Sequence, residues 1–216
     1  MKKSILLIVI STVLFTGIFA EQLTFTADVL KYKFKEGEKR TQCIGNAKII
    51  QGSTTIKAQR ITIYGENHST AVCSGNVDVI DRESQVEIKG GRADYKKYPK
   101  YAKITKSPIL YLNKDNVKVT AAIMERFFEE GRNEAQGNVV ITKSNTICKS
   151  ERATFYEDEN KFTADGEPHV EIGKDIYFAD SIIVLTEEDR IILKNNIQAI
   201  IYPGNSNKDN YTRLTQ

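Results

Sequence analysis

Along most of the chain, apolar and polar residues alternate in short runs. Ile56-Lys57-Ala58-Gln59-Arg60-Ile61-Thr62-Ile63-Tyr64 is one such run, and residues 86–95 and 148–156 form two more. A period of two marks a strand with one buried face. The β-branched and aromatic residues in these runs suit strands. Helical period is nearly absent. Residues 121–130 are the one stretch that would accept a helix, and their place in the repeat described next predicts strand there as well.

The runs recur. Ile44-Gly45-Asn46-Ala47 is echoed by Ser74-Gly75-Asn76-Val77 and by Gln136-Gly137-Asn138-Val139, with a weaker copy at Asp165-Gly166-Glu167-Pro168. Lys106-Ser107-Pro108 and Lys194-Asn195-Asn196 are degenerate copies. The spacing is about thirty residues throughout, a repeat length typical of stacked architectures. It predicts about six units of one elongated, repetitive β domain, with the Gly-Asn pairs as turns between strands. Gly65-Glu66-Asn67-His68 and residues 157–161 are predicted as further tips.

Within each unit the alternation changes phase. Ile56 and Ala58 share one parity, Ile61 and Ile63 the other; Val86 and Ile88 are followed by Ala93 and Tyr95. A slip of one residue turns every following side chain to the other face. A bulge or corner can absorb it and keep the apolar side inward. The strands are therefore expected to bend and wrap the sheet round an interior.

The N-terminus follows a different pattern. Lys2 and Lys3 precede an apolar run from Ile5 to Phe19 that closes at Ala20. This fits a secretory signal peptide cleaved after Ala20, and the run is shorter than the ~20 residues of a spanning helix. Residues 1–20 are assigned to the signal, 21–204 to the β domain and 205–216 to a polar, flexible tail. The formal charge of the whole chain is +3; the signal carries two of those charges, so the exported part is nearly neutral and lacks the basic footprint of a nucleic-acid binder. Lys96, Lys97, Lys100 and Lys103 cluster around Pro99 as a solvated turn or a contact for an anionic partner. With 40% hydrophobic residues the chain is not wholly disordered, and its single long apolar run excludes a multi-span membrane protein.

The Gly-Asn-Val/Ala strand starts, followed by strand halves such as those at 58–61, 150–153 and 179–182, resemble the OstA-like family, which includes periplasmic bridge proteins of lipopolysaccharide transport. The third unit departs, with Ser107-Pro108 in place of Gly-Asn. The resemblance implies a bent, open antiparallel β-jellyroll in the periplasm, with lipid held between its walls. It implies lipopolysaccharide or a related glycolipid as ligand, partners in the inner and outer membranes, and head-to-tail self-association. It also implies three free, buried cysteines.

Parity alone selects an apolar lining of Ile49, Ile56, Val77, Val79, Ile88, Val139, Ile141, Val170 and Phe178. The terminal strands, residues 24–34 and 197–202, are candidates for pairing with another chain; the alternative is that Lys31, Lys33 and Lys35 guard the first edge. Cys43 and Cys73 hold equivalent repeat positions. In a parallel β-helix they would stack on adjacent strands, within disulfide reach; in an antiparallel meander they would lie roughly 10 Å apart. Tyr64, Tyr95 and Tyr156 are expected to cap the core with their hydroxyls in water. His68 and His169 have no neighbours at metal-ligand spacing, and no nucleophile triad or phosphate loop is present. No catalytic residue, metal site or cofactor is expected. Two other functions fit the pattern: an exported parallel β-helix acting on carbohydrate or as an adhesin, and a ligand-free structural filament.

Overall fold

The computed structural model describes residues 23–35, 39–65 and 69–202. The expected signal peptide (1–20), the expected tail (205–216) and His68 lie outside these residues. Six long strands carry the architecture: β3 (Arg40–Gln51), β4 (Thr54–Tyr64), β5 (Thr70–Asp81), β6 (Val86–Lys96), β11 (Arg132–Lys143) and β12 (Thr146–Tyr156). The rest of the fold is built from half-length strands. β1 (Leu23–Thr26) and β2 (Val29–Lys33) open it. β7 (Tyr101–Thr105), β8 (Ile109–Leu112), β9 (Val117–Thr120) and β10 (Ile123–Phe127) stand in the middle. β13 (Lys161–Asp165), β14 (His169–Ile172), β15 (Asp175–Phe178), β16 (Ser181–Leu185), β17 (Arg190–Lys194) and β18 (Gln198–Ile200) close it. The only helical piece among the described residues is a 3₁₀ turn at Phe128–Glu130, so residues 121–130 are mostly strand, as the repeat required.

All pairings are antiparallel, within one 18-stranded sheet. This overturns the parallel β-helix reading. It also separates Cys43 from Cys73: both pair with Ile61 from opposite sides, which puts two strand spacings, roughly 10 Å, between them. All three cysteines are free and buried.

The sheet folds into two walls because each long strand bends at its middle. Register shifts fall between Ile44 and Ala47, Ser74 and Val77, and Gln136 and Val139. The Gly-Asn pairs sit there, inside the strands, as bulges. The expectation that they are turns between strands is corrected: the hairpin turns lie half a strand away, as at Gly52-Ser53. Each bulge puts two residues opposite one, so the neighbouring strand changes phase without losing its inward apolar face. On β4, Ala58 and Ile61 are both buried, while Gln59 and Arg60 between them are exposed.

The bend has a common backbone form. Consecutive left-handed residues occur at Gly45-Asn46, Gly75-Asn76, Lys106-Ser107, Gly137-Asn138, Gly166-Glu167 and Asn195-Asn196. Gly137 shows why glycine leads the pair: its φ is +81°, and a Cβ there would lie 2.8 Å from that of Ala122. The corners also bond in series. The amides of Asp28, Gly91, Ala122, Glu151 and Asp180 donate to the carbonyls of Gly45, Lys106, Gly137, Gly166 and Asn195 at 2.9–3.2 Å. At both ends of the chain an Asn side chain bonds an Asp across the corner, Asn46 to Asp28 and Asn196 to Asp180.

The first wall comprises β2, residues 40–44, 60–64, 70–74 and 92–96 of the long strands, β7, β10, residues 132–136 and 152–156, β13, β16 and β17. The second comprises β1, residues 47–51, 54–58, 77–81 and 86–90, β8, β9, residues 139–143 and 146–150, β14, β15 and β18. The hairpin turns form the mouth opposite the corners. The predicted strand 24–34 is divided at Asp28, one half in each wall.

Candidate functional site

The interior between the walls is lined by rows of cross-strand partners, which share a face by geometry. In the second wall the row runs Ile49, Ile56, Val79, Ile88, Leu110, Val119, Ile141, Cys148, Val170, Tyr177. Val77 and Val139 lie nearer the corner and are buried. Every lining residue selected by parity therefore faces inward except Phe178. Val170 pairs with Tyr177, and His169 with Phe178, so Val170 and Phe178 cannot share a face. Phe178 stands outside, its ring 5.6 Å from that of His169.

The first wall contributes two rows. The one nearer the corner mixes six small residues with four large ones: Cys43, Ile61, Cys73, Ala93, Ile104, Met124, Ala135, Ala153, Ala164, Ile182. Small residues let the walls converge there. The row nearer the mouth reads Thr41, Ile63, Ala71, Tyr95, Ala102, Arg126, Asn133, Phe155, Phe162, Val184. Tyr95 is in this inner row and packs against Phe128, whereas Tyr64 and Tyr156 lie on the outer face opposite Arg40 and Arg132. The three tyrosines, equivalent in sequence, are thus not equivalent in space.

Residues of both walls enclose a cavity of about 10 Å³, bounded by Ile88, Leu110 and Val119 on one side and Ile104, Met124, Phe155 and Phe162 on the other. That is room for at most one water. Phe155 and Phe162 stack with centroids 4.5 Å apart.

A polar trio interrupts the mouth row. Arg126, 8% exposed, pairs with Glu157 at 3.1 Å, and Asn133 donates to the same carboxylate at 2.8 Å. Phe128 lies under the guanidinium, 4.8 Å from its centre. Arg126 Nε and Asn133 Oδ1 have no hydrogen-bond partner among the described residues. Sequence reasoning passed over this trio, although the signal was present: Arg126 is in phase with buried Met124. Across the mouth stands Asp81. Burial alone would raise its carboxyl, but the Ser53 hydroxyl at 2.8 Å, the Ser84 and Glu83 amides and the Arg126 charge outweigh burial and hold it below the ordinary range.

Burial pushes the Cys73 and Cys148 thiols up to about 12. At pH 8 the reactive thiolate is then scarce in the native protein. Iodoacetamide followed by intact mass should find both unmodified until denaturant is added; rapid native alkylation of either would contradict this burial.

Outside the walls, Lys97 lies over the Tyr98 ring, Lys100 over Phe128, and Lys103 pairs with Glu125 at 3.3 Å. His169 approaches Glu171 at 3.6 Å. No group of three or more metal-ligating side chains occurs among the described residues.

Two comparisons with known proteins found similar ones. A family model described as LptA/(LptD N-terminal domain) LPS transport protein matches residues 24–131, half of the chain. Among solved structures, the chain is similar to LptH, the LptA-homologous periplasmic component of the lipopolysaccharide transport device of Pseudomonas aeruginosa. Identity is 10%, with 85% of this chain and 96% of that one covered and a TM-score of 0.26. No curated protein matches the chain.

Proposed function

The chain belongs to the LptA/LptD N-terminal-domain family of lipopolysaccharide transport proteins, and from that premise we propose that it shelters the acyl chains of lipopolysaccharide or a related glycolipid between its walls. The family is one of transport proteins, not enzymes. The observation that carries the reading is the continuity of the lining: an apolar row passes from Ile49 to Tyr177 without a charged residue. Each methylene moved from water to such a row stabilises the complex by about 0.8 kcal/mol, so a long acyl chain can be held without any directional bond.

The wider reading is a bridge. The exported chain works in the periplasm, receives lipid from inner-membrane components and delivers it toward the outer membrane. Six repeat units, supported by the six left-handed pairs, extend the lining, and copies join head to tail to lengthen it. The two ends support such joining. At one end β2 exposes Leu30 (61%) beside Phe34 (78%); at the other, β18 and the residues after it expose Ile200, Ile201 and Tyr202. Among the described residues both are edge strands, able to add a further strand.

A close-packed interior also suits a ligand-free filament, and one experiment separates the two. A photoreactive benzoylphenylalanine at Leu110, inside, should capture lipopolysaccharide, whereas one at Thr163, outside, should not. The same residue at Ile200 should capture a second copy of the chain. Equal lipid capture at Leu110 and Thr163, or none at either, removes the interior-groove reading; failure at Ile200 removes head-to-tail joining alone.

A further inference from the structure

At one stretch of the mouth the two walls are tied together. The turn between β16 and β17, residues 186–189 of the first wall, reaches across to the second. Thr186, 1% exposed, places its hydroxyl 2.9 Å from Asp115 in the turn between β8 and β9. Glu187 pairs with Lys114 of that same turn at 2.6 Å. Lys143, at the end of β11, pairs with Asp189 at 2.7 Å and donates to the Thr186 carbonyl. Behind these, the Thr186 amide donates to the Asn160 carbonyl at 2.9 Å, which anchors the turn to its own wall.

We propose that this cluster is a lateral clasp: it must release for an acyl chain to enter between the walls from the side, and when shut it confines cargo to movement along the groove. The inference rests on the reading of the interior as a lipid site. Three observations carry it. First, where Ile88, Leu110 and Val119 face Ile104, Met124, Phe155 and Phe162, the walls leave a cavity of only about 10 Å³, whereas small-molecule sites occupy some 300–1,000 Å³; at that station the walls therefore separate when an acyl chain enters. Second, corner bulges join the walls on the other side, so separation opens the mouth, where the clasp lies. Third, the buried Thr186–Asp115 bond is flanked by ion pairs that water can reach. Lys114 and Glu187 are about half exposed, and Asp189 is 62% exposed. Exposed ion pairs are weak and screened by salt. An apolar closure of the same span would have no such ready exchange with solvent.

The test locks and unlocks the clasp in the full exported chain. In a Lys114→Cys/Glu187→Cys variant, an alkyl bis-methanethiosulfonate can bridge the new thiols while the native cysteines stay buried. Bridging should slow loading of fluorescein-labelled lipopolysaccharide by about tenfold or more, as a fixed lid does, and dithiothreitol should restore it. Lys114→Met/Lys143→Met should load faster than the native chain, and salt, which should accelerate loading of the native chain, should have no such effect on the variant. Unimpaired loading by the bridged form overturns the proposal. Spin labels at Asn113 and Glu188 give a readout independent of lipid. Lys143→Met should add a longer distance to the native distribution; an unchanged single distance overturns the clasp. If no form loads lipopolysaccharide and the longer distance still appears, the clasp stands and the lipid reading fails.

Discussion

Phe162→Ala should lower the stability of the folded chain by about 3–5 kcal/mol, the cost of an aromatic-to-alanine change in a core that cannot collapse. Phe162 is 2% exposed, and its strand is paired on both sides, to β12 and to β16. That double pairing fixes the backbone, so neighbours cannot close the hole. The stack with Phe155 is lost as well, and the small cavity beside the two rings becomes a large one. Urea unfolding followed by tryptophan-independent circular dichroism would show the loss as a lower midpoint at unchanged slope. Phe162→Leu, which keeps most of the volume, should cost less than half as much. Equal midpoints for native and Phe162→Ala chains would mean that the walls are not packed on this residue.

The second large effect concerns the trio at the mouth, and its signature is an asymmetry. Glu157→Gln should destabilise by about 3 kcal/mol, because it leaves the Arg126 charge among apolar neighbours without its counter-ion. Arg126→Met should cost less, about 1–2 kcal/mol, because the carboxylate left behind has more access to water. The side chains are 10% exposed for Arg126 and 24% for Glu157. Methionine also continues the apolar row and removes the unpartnered Nε. The double variant should be more stable than Glu157→Gln alone, since a buried pair replaced as a unit is often neutral. A double variant less stable than either single change would show that the trio acts through something other than its charge pair.

Much of this fold is written in local pattern. Alternation located the strands, and the phase change at Ala58 and Ile61 announced a bend before any pairing was known. Parity placed Ile49, Ile56, Val77, Val79, Ile88, Val139, Ile141 and Val170 inside. It failed at Phe178 because the count was carried through a hairpin, where only the register of His169 against Phe178 decides the face. The role of the Gly-Asn pairs was also misjudged. Left-handed backbone serves a hairpin turn and a bulge alike, and the difference lies in whether the neighbouring strand continues past it. The terminal strand 24–34 showed no sign of its division at Asp28, because the corner is made by the Asp28 amide donating to the Gly45 carbonyl, in another strand.

The amino-acid sequence by itself determined the strand period, the presence of bends within the units and the inward parity of most apolar residues, because each depends on side-chain alternation within a few residues. The tertiary structure decided which strands are neighbours, that all of them run antiparallel, and that Cys43 and Cys73 stay apart. It also decided that Arg126 faces an interior and that Thr186 meets Asp115 across the mouth. The partners in that last contact are 71 residues apart. Such distant groups are brought together only by the stacking of successive bends, a sum of small rotations that no single stretch of sequence encodes.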